Sequence, residues 1–200
     1  QARAMGLEMI ITDHHELEGE LPACTVVTPR IGSYPCRHLA GVGVAFKLAH
    51  ALLEEPVEAL VELPLALRPY TDVVAVGTIA DVVPLVEENR VFAAVGLGRL
   101  RSAPRPGLAA LLEVAGGRPG AVDAGAVGFR LGPRLNAAGR LEDASIALEL
   151  LGAPDRETAL AFANEYASEH VTILTADPEA AAAEIVAAGS VYVGAWAPES

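Results

Sequence analysis

The chain has 200 residues, of which 52% are hydrophobic and 20% charged, and its formal net charge is -12. This composition can bury a core and excludes an intrinsically disordered chain. The negative charge argues against a dedicated nucleic-acid-binding module, whose surface is usually basic, but not against an enzyme that binds DNA in a local cleft. Because aromatic residues make up only 4%, we expect helices and buried parallel strands rather than a β-sandwich.

The cysteines and the lengths of the apolar runs indicate in which cellular compartment the protein is expected. Cys24 and Cys36 form no metal-binding pair, and they fit small buried thiols in a reducing environment. No apolar run reaches membrane-spanning length and no signal peptide is recognisable, so a cytoplasmic protein without membrane association is predicted. Gln1 lies close to an apolar run and Ser200 follows another, so we expect a piece of a longer protein.

Apolar patterning predicts the elements in chain order. Two strands are expected at 7–12 and 24–28, followed by a series of helices. A polar stretch at 132–140 separates two of these helices. The predicted helices cover 39–55, 57–67, 69–83, 88–101, 107–115, 123–131, 141–151, 155–168 and 178–188, with short strands at 171–174 and 191–193. The sequence therefore predicts an α/β fold with a partial parallel sheet, many helices, a helical connector and a short α/β tail.

Three polar residues, Asp13, His14 and His15, follow the first predicted strand. Ligands of α/β proteins bind beyond the carboxyl ends of parallel strands, and imidazole with carboxylate suits Mn²⁺ or a similar divalent ion. Adjacent residues of an extended chain point to opposite sides, so only a turn would present two of them to one ion. The alternative is a solvated loop that happens to contain two histidines.

Asp81 lies within the apolar segment GTIADVVPL at 77–85. A buried carboxylate is costly unless it is paired or bound to a metal. Metal binding is therefore one interpretation, and a helix cap or an ion pair with arginine is the other.

The stretch GPRLNAAGR at 132–140 combines two arginines, an asparagine and flanking glycines. Guanidinium groups and backbone amides of such a stretch can approach an anion closely. The alternative is an ordinary turn between helices with solvated arginines.

Four segments in this order resemble signature segments of RecJ-type single-strand DNA exonucleases, which are members of the DHH phosphoesterase family. They are TDHH at 12–15, HLAGVGVAFKL at 38–48, VGTIADVVPL at 76–85 and RLGPRLNAAGRL at 130–141. Residues 1 to about 160 thus resemble the second half of that family's catalytic core, with its DHH-type parallel sheet. The resemblance implies Mn²⁺- or Mg²⁺-dependent hydrolysis of single-stranded DNA from 5′ to 3′ in repair and recombination, with proteins of those processes as candidate partners.

The resemblance also implies roles for the residues of the first and third segments. His14 and Asp81 correspond to ligands of the catalytic metal, and Asp13 and His15 to residues that support the metals or contact the scissile phosphate. The family's other metal motifs would lie upstream of residue 1. We therefore expect this chain alone to bind metal weakly and to be catalytically incompetent.

The fourth segment corresponds to the region that receives the DNA strand near its 5′ end. The resemblance implies that Arg140 contacts a DNA phosphate, supported by Arg134 and Asn136. A grip on the terminal 5′ phosphate would explain the polarity of digestion.

From about residue 160 the resemblance changes to histidinol dehydrogenase, a zinc- and NAD-dependent enzyme. The segments NEYASEH at 164–170 and AGSVYVGAWAPES at 188–200 carry it. Glu169 and His170 would correspond to that family's acid/base pair, although Ser168 stands where the family usually has proline. Because the family's zinc ligands fall outside this segment, we expect the pair to be inert.

Together these resemblances predict two segments. Residues 1–160 would form the C-terminal half of a DHH phosphoesterase core, and residues 161–200 a histidinol-dehydrogenase-like tail. The alternatives are a histidinol dehydrogenase fragment and a non-catalytic chimeric fragment.

Overall fold

The computed structural model describes residues 2–17, 19–53, 66–141, 144–165, 170–173 and 190–193. The chain divides into two compact units, Gln1–Gly96 and Leu97–Ser200. The helices predicted at 57–67 and 178–188 fall largely or wholly outside the described residues. The boundary predicted near residue 160 stays a prediction.

The described strands form two parallel pairs. Strand β1 (Ile10–Thr12) pairs with β2 (Thr25–Val27), with Ile10 opposite Thr25. In the second unit, β3 (His170–Ile173) pairs with β4 (Ser190–Val193). All four strands lie within or next to runs in which the sequence predicted them. Together with the helices below, they confirm the α/β class.

The helices follow the predicted order closely. They are α1 (Gly41–Leu52), α2 (Thr71–Ala80), α3 (Glu87–Ser102), α4 (Pro106–Val114), α5 (Ala124–Ala126), α6 (Gly132–Leu141), α7 (Ala144–Gly152) and α8 (Arg156–Glu165). Short 3-10 turns occupy Ala2–Met5, Arg68–Tyr70 and Pro119–Ala121, and a π-helical turn, Val127–Leu131, joins α5 to α6. No helix among the described residues has the length and apolar character needed to cross a membrane.

The core of the first unit lies between α1, α2 and α3. Phe46 and Phe92 meet edge to face with ring centroids 5.2 Å apart, within a buried cluster that also contains Val44 and Val74. Helices α1 and α2 approach closely at Gly77, where a Cβ would lie 2.8 Å from a methyl group of Val42. This contact brings the start of α1 and the end of α2 near each other.

In the second unit α4 packs against α7 and α8. Leu108 and Leu112 of α4 are fully buried. Gly107 lies directly against α7, because a Cβ there would be 1.8 Å from the backbone oxygen of Leu150. Helix α8 begins after Asp155, whose carboxylate accepts the N–H of Thr158 at 2.8 Å, a typical N-cap arrangement.

The polar stretch at 132–140 was expected to separate two helices. That prediction is wrong, because the stretch is itself helical. It forms most of α6, which continues without a break from the π-helical turn. Pro133 cannot donate to the carbonyl of Phe129 and crowds it, which accounts for a widened turn just before the proline. The backbone amides inside α6 are therefore not available to an anion in the way a loop would offer them.

Candidate metal site

The turn after β1 is organised by the Asp13 carboxylate. The N–H of Asp13 donates to the carbonyl of Val27 at 3.1 Å, which extends the strand pairing by one residue. Asp13 Oδ1 then accepts the N–H groups of His14 at 2.7 Å and of His15 at 3.2 Å. Such side-chain-to-backbone bonds favour a turn over an extended strand. The two histidines consequently leave the strand in a turn, as a metal site here requires.

His14 is held between α1 and the loop after β2. A Cβ on Gly41, the first residue of α1, would lie 2.9 Å from His14 Cδ2 and 3.2 Å from Nε2. Only glycine therefore lets the ring lie this close to the helix. On the other side Arg30 donates through Nε to the backbone oxygen of His14 at 3.3 Å, and it forms an ion pair with Glu16 at 2.9 Å.

Asp81, at the end of α2, lies beside the His14 ring. His14 Nδ1 lies 3.5 Å from Asp81 Oδ2, and the two side chains are 20% and 38% exposed. That separation is long for a direct hydrogen bond. Asp81 is thus not buried within the apolar segment around it. It occupies the C-terminal cap position of α2, as the alternative interpretation of the sequence allowed.

The surroundings of Asp81 favour a cation. A helix C-terminus carries partial negative charge, which stabilises cations and disfavours a carboxylate. The next residue, Val82, has a positive φ of 57°, a left-handed conformation that costs a β-branched residue about 1–2 kcal/mol. Strain of this kind concentrates at functional sites. A positive ion beside Asp81 would offset the unfavourable charge at the helix end.

Asp13 and His15 form a second, more exposed pair. His15 Nδ1 lies 2.7 Å from Asp13 Oδ1, and the side chains are 76% and 40% exposed. Hydrogen bonds from the His15 ring and from the backbone N–H groups of His15 and His14 lower the pKa of Asp13 to about 2. The rings of His14 and His15 are 4.4 Å apart between centroids. The four predicted residues therefore form two adjacent pairs.

The donor set of the His14–Asp81 pair fits a divalent metal of the Mn²⁺ type. It offers one imidazole nitrogen and one carboxylate oxygen, a mixture that Mn²⁺ accepts. Among the described residues, no group of three or more histidine, cysteine, aspartate or glutamate side chains converges on one point. Two protein ligands with water in the remaining positions are enough for hard divalent ions of the Mg²⁺ type, so the pair fits part of a coordination shell.

The residues predicted to contact DNA lie on α6, in the second unit. Arg134 is exposed and donates through Nη1 to the carbonyl of Arg130 at 2.9 Å. Partial desolvation and the like charge of Arg130 lower the pKa of Arg134. Asn136 is exposed as well, and the side chain of Arg140 lies outside the described residues. The preceding turn presents Phe129, which is 85% exposed.

The predicted acid/base pair of the tail is not described as a pair. Glu169 lies outside the described residues. His170 begins β3 opposite Ser190, and only its backbone is described.

The sequence did not point to two residues that contact the surroundings of the site, Gly41 and Asn89. Gly41 lies in the HLAGVGVAFKL segment, and the two glycines at the start of a helix were the available signal for a close approach. Asn89, fully buried in α3, gave no signal because the residue looks like any polar residue in the first turn of a helix.

Comparisons with known proteins identify relatives for both segments. The chain is 49% identical to the single-stranded-DNA-specific exonuclease RecJ of Bacillus subtilis over 157 residues, which is 77% of this chain and 19% of the relative. It is 43% identical to RecJ of Escherichia coli over 174 residues, which is 82% of this chain and 30% of the relative. The chain thus spans about a fifth to a third of these relatives.

Solved structures give the same result. A crystal structure of exonuclease RecJ bound to manganese matches with a TM-score of 0.67 and 37% identity, covering 82% of this chain and 40% of that one. A structure of RecJ from Thermus thermophilus in complex with Mn²⁺ also matches with a TM-score of 0.67 and 37% identity, over 82% of this chain and 24% of that one.

The tail matches another family. A model of the histidinol dehydrogenase family matches residues 134–200, which begins earlier than the boundary predicted near residue 160. Histidinol dehydrogenase of Bacteroides fragilis is 48% identical over 52 residues, which is 26% of this chain and 12% of that enzyme. Both resemblances inferred from the sequence are confirmed.

Proposed function

Because most of this chain resembles RecJ-type exonucleases, we propose that it forms part of a metal-dependent nuclease that hydrolyses single-stranded DNA from 5′ to 3′. Mn²⁺ or Mg²⁺ is its cofactor, and cytoplasmic DNA repair and recombination are its setting. The observation that carries the proposal is the His14–Asp81 pair, with an imidazole nitrogen 3.5 Å from a carboxylate oxygen. The two residues come from separate segments and meet at an accessible site.

Each residue of the two pairs has a distinct part in this chemistry. His14 and Asp81 would hold the ion, which when bound stabilises the negative charge that builds on the phosphate oxygens. The bond to Asp13 fixes the orientation of the His15 ring. Because the His15 side chain is 76% exposed, it can reach the scissile phosphate and donate a proton to the leaving oxygen or accept one from the attacking water. The depressed pKa of Asp13, about 2, keeps its carboxylate ionised for this task.

The exposed residues on and before α6 supply contacts to the strand in this proposal. Arg134, Asn136 and Arg140 would contact phosphates, and arginine is well suited to bidentate contacts of this kind. Phe129 offers an exposed ring, and nucleobases of single strands stack on such rings without regard to sequence. Contact with the terminal 5′ phosphate would set the direction of digestion.

The direct test is digestion of a 5′-phosphorylated single-stranded oligonucleotide by the chain with Mn²⁺. Nucleotide release from the 5′ end that Asp81→Asn abolishes would support the proposal and contradict the expectation that this chain alone is incompetent. An oligonucleotide labelled at either end distinguishes 5′ from 3′ digestion.

A graft tests the proposal independently of what lies beyond this chain. The segment of Bacillus subtilis RecJ that aligns with this chain over 157 residues is replaced by the aligned residues of this chain. We expect the hybrid to digest single-stranded DNA with Mn²⁺, and to lose that activity on Asp81→Asn or His14→Ala. A folded hybrid whose activity survives both substitutions would show that the pair is not the metal site.

The tail raises a second candidate function, a histidinol dehydrogenase activity, which is favoured by the family match over residues 134–200. Its proposed acid/base residues are Glu169 and His170. We expect no NAD-dependent oxidation of histidinol by this chain with zinc, and NADH formation measured by absorbance would contradict that expectation.

A further inference from the structure

The Asn89 side chain is fully buried and bonds three backbone groups of two different loops. Its Oδ1 accepts the N–H of Ala40 at 3.1 Å. Its Nδ2 donates to the carbonyl of His38 at 2.5 Å and to that of Pro84 at 3.1 Å. Both donors and the acceptor of the amide are thus used. No side chain of similar size other than asparagine offers two donors and one acceptor in this arrangement.

These two loops carry the contacts that define the candidate metal site. Ala40 directly precedes Gly41, against which the His14 ring lies. Pro84 follows Asp81 by three residues, with the strained Val82 between them. One amide therefore joins the segment that supports His14 to the segment that carries Asp81.

Asn89 is itself held firmly through its neighbour in α3. Glu88 is 6% exposed, accepts the hydroxyl of Tyr34 and forms an ion pair with Lys47 of α1. These contacts fix the first turn of α3 against α1. The Asn89 amide is consequently anchored at its own backbone as well as at its three partners.

We propose that Asn89 is a positioning residue that sets the separation of His14 and Asp81 for metal binding. The inference rests on the proposed function, because it concerns the same metal site. A residue that only stabilised the fold would leave metal affinity unchanged at temperatures where the protein is folded. A positioning residue lowers that affinity while the protein remains folded.

The test compares Asn89→Ala with Phe92→Leu in the 200-residue chain. Phe92 lies on the same helix and in the buried cluster, which includes Leu39 of the loop before α1, so its truncation costs stability through packing without removing any of the three hydrogen bonds of Asn89. Mn²⁺ binding is measured by the loss of the electron paramagnetic resonance signal of free Mn²⁺, well below the melting temperature. We expect Asn89→Ala to weaken binding about 10-fold to 100-fold, as supporting residues around metal ligands typically do, and Phe92→Leu to leave it unchanged.

A second readout needs no metal. The ring resonances of His14 are recorded by NMR in the metal-free chain, assigned by their loss in His14→Ala. We expect them to shift in Asn89→Ala and to stay in place in Phe92→Leu. If Asn89→Ala does not fold, Asn89→Ser is measured instead, since its hydroxyl can satisfy one of the three backbone groups.

The outcomes separate the inference from the proposed function. A folded Asn89 variant with unchanged Mn²⁺ affinity and unshifted His14 resonances would overturn the positioning role. Equal effects of Phe92→Leu would overturn it too, because they would indicate general packing. If the unaltered chain binds no Mn²⁺, the metal site of the proposed function fails, and the His14 resonances alone decide whether Asn89 positions the pair.

Discussion

Substituting Gly41 by alanine tests whether the position of the His14 ring determines metal binding. The added Cβ would lie 2.9 Å from His14 Cδ2, where ordinary contacts begin at 3.4 Å. The ring must therefore retreat by about 0.5 Å to reach van der Waals distance. Metal–ligand distances tolerate only about 0.2 Å. The displacement thus exceeds what the site can absorb, and we expect weaker binding of Mn²⁺.

The assay is thermal unfolding at increasing Mn²⁺ concentration. A ligand that binds only the folded state stabilises it by RT ln(1 + [L]/Kd). A tenfold increase in Kd would lower the stabilisation at saturating Mn²⁺ by about 1.4 kcal/mol. Without metal, Gly41→Ala should leave stability near that of the unaltered chain, because alanine is favoured over glycine in helices.

Gly98→Ala is the matched control for this substitution. Gly98 lies in α3, and a Cβ there meets nothing within 4 Å. The control should therefore keep the full response to Mn²⁺. If Gly41→Ala responds to Mn²⁺ as strongly as Gly98→Ala does, the reasoning that links the ring position to metal binding is wrong.

Three further predictions concern the second unit. Gly107→Ala should destabilise the protein by about 1–3 kcal/mol or more, because its Cβ would lie 1.8 Å from a backbone oxygen of α7, and thermal melting checks this. The Thr158 backbone N–H and hydroxyl lower the pKa of Asp155 from its ordinary 3.8, so its contribution is present above pH 3.8 and disappears as the pH falls through the lower folded value. Melting curves from pH 6 to pH 2 should show a larger loss in the unaltered chain than in Asp155→Asn, in which the similar contribution of Asp13 remains. Arg134→Gln should weaken binding to a single-stranded oligonucleotide and reduce the slope of log affinity against log salt concentration by about 0.7, and an unchanged slope would contradict a phosphate contact.

Local patterns were sufficient to predict most elements of the fold. The β-branched runs before Asp13 and at Thr25–Val27 became paired strands. Pro69, expected to start a helix, lies in the 3-10 turn that leads into α2, and Pro84, expected to end it, follows α2. The polar stretch at 132–140 was predicted less well. Its glycines suggested a turn, but the leucines, alanines and arginines around them favour a helix, and the widened turn before Pro133 accommodates the proline.

Which side chains of the candidate metal site lie next to each other could be predicted only in part. The family resemblance implied that His14 and Asp81 hold one metal, and the structure places the two side chains 3.5 Å apart. The resemblance also implied that Asp13 supports the metals or contacts the phosphate, which stays a prediction, and the structure shows that the Asp13 carboxylate accepts the N–H groups of its own turn. A carboxylate that bonds its own backbone depends on local φ and ψ angles, which the residue order does not specify.

The charge at the end of α2 explains why Asp81 needs a partner from another segment. The helix end and the carboxylate repel each other, since both are negative, and the strained Val82 adds to the local cost. Within the first unit, the buried core and the Asn89 hydrogen bonds hold Asp81 there in spite of that cost. A divalent cation ligated by Asp81 and by the neutral His14 imidazole would offset that charge. The charge at the end of α2 and the strained Val82 therefore support the proposed cation beside Asp81 by an argument that does not use the resemblance to other proteins.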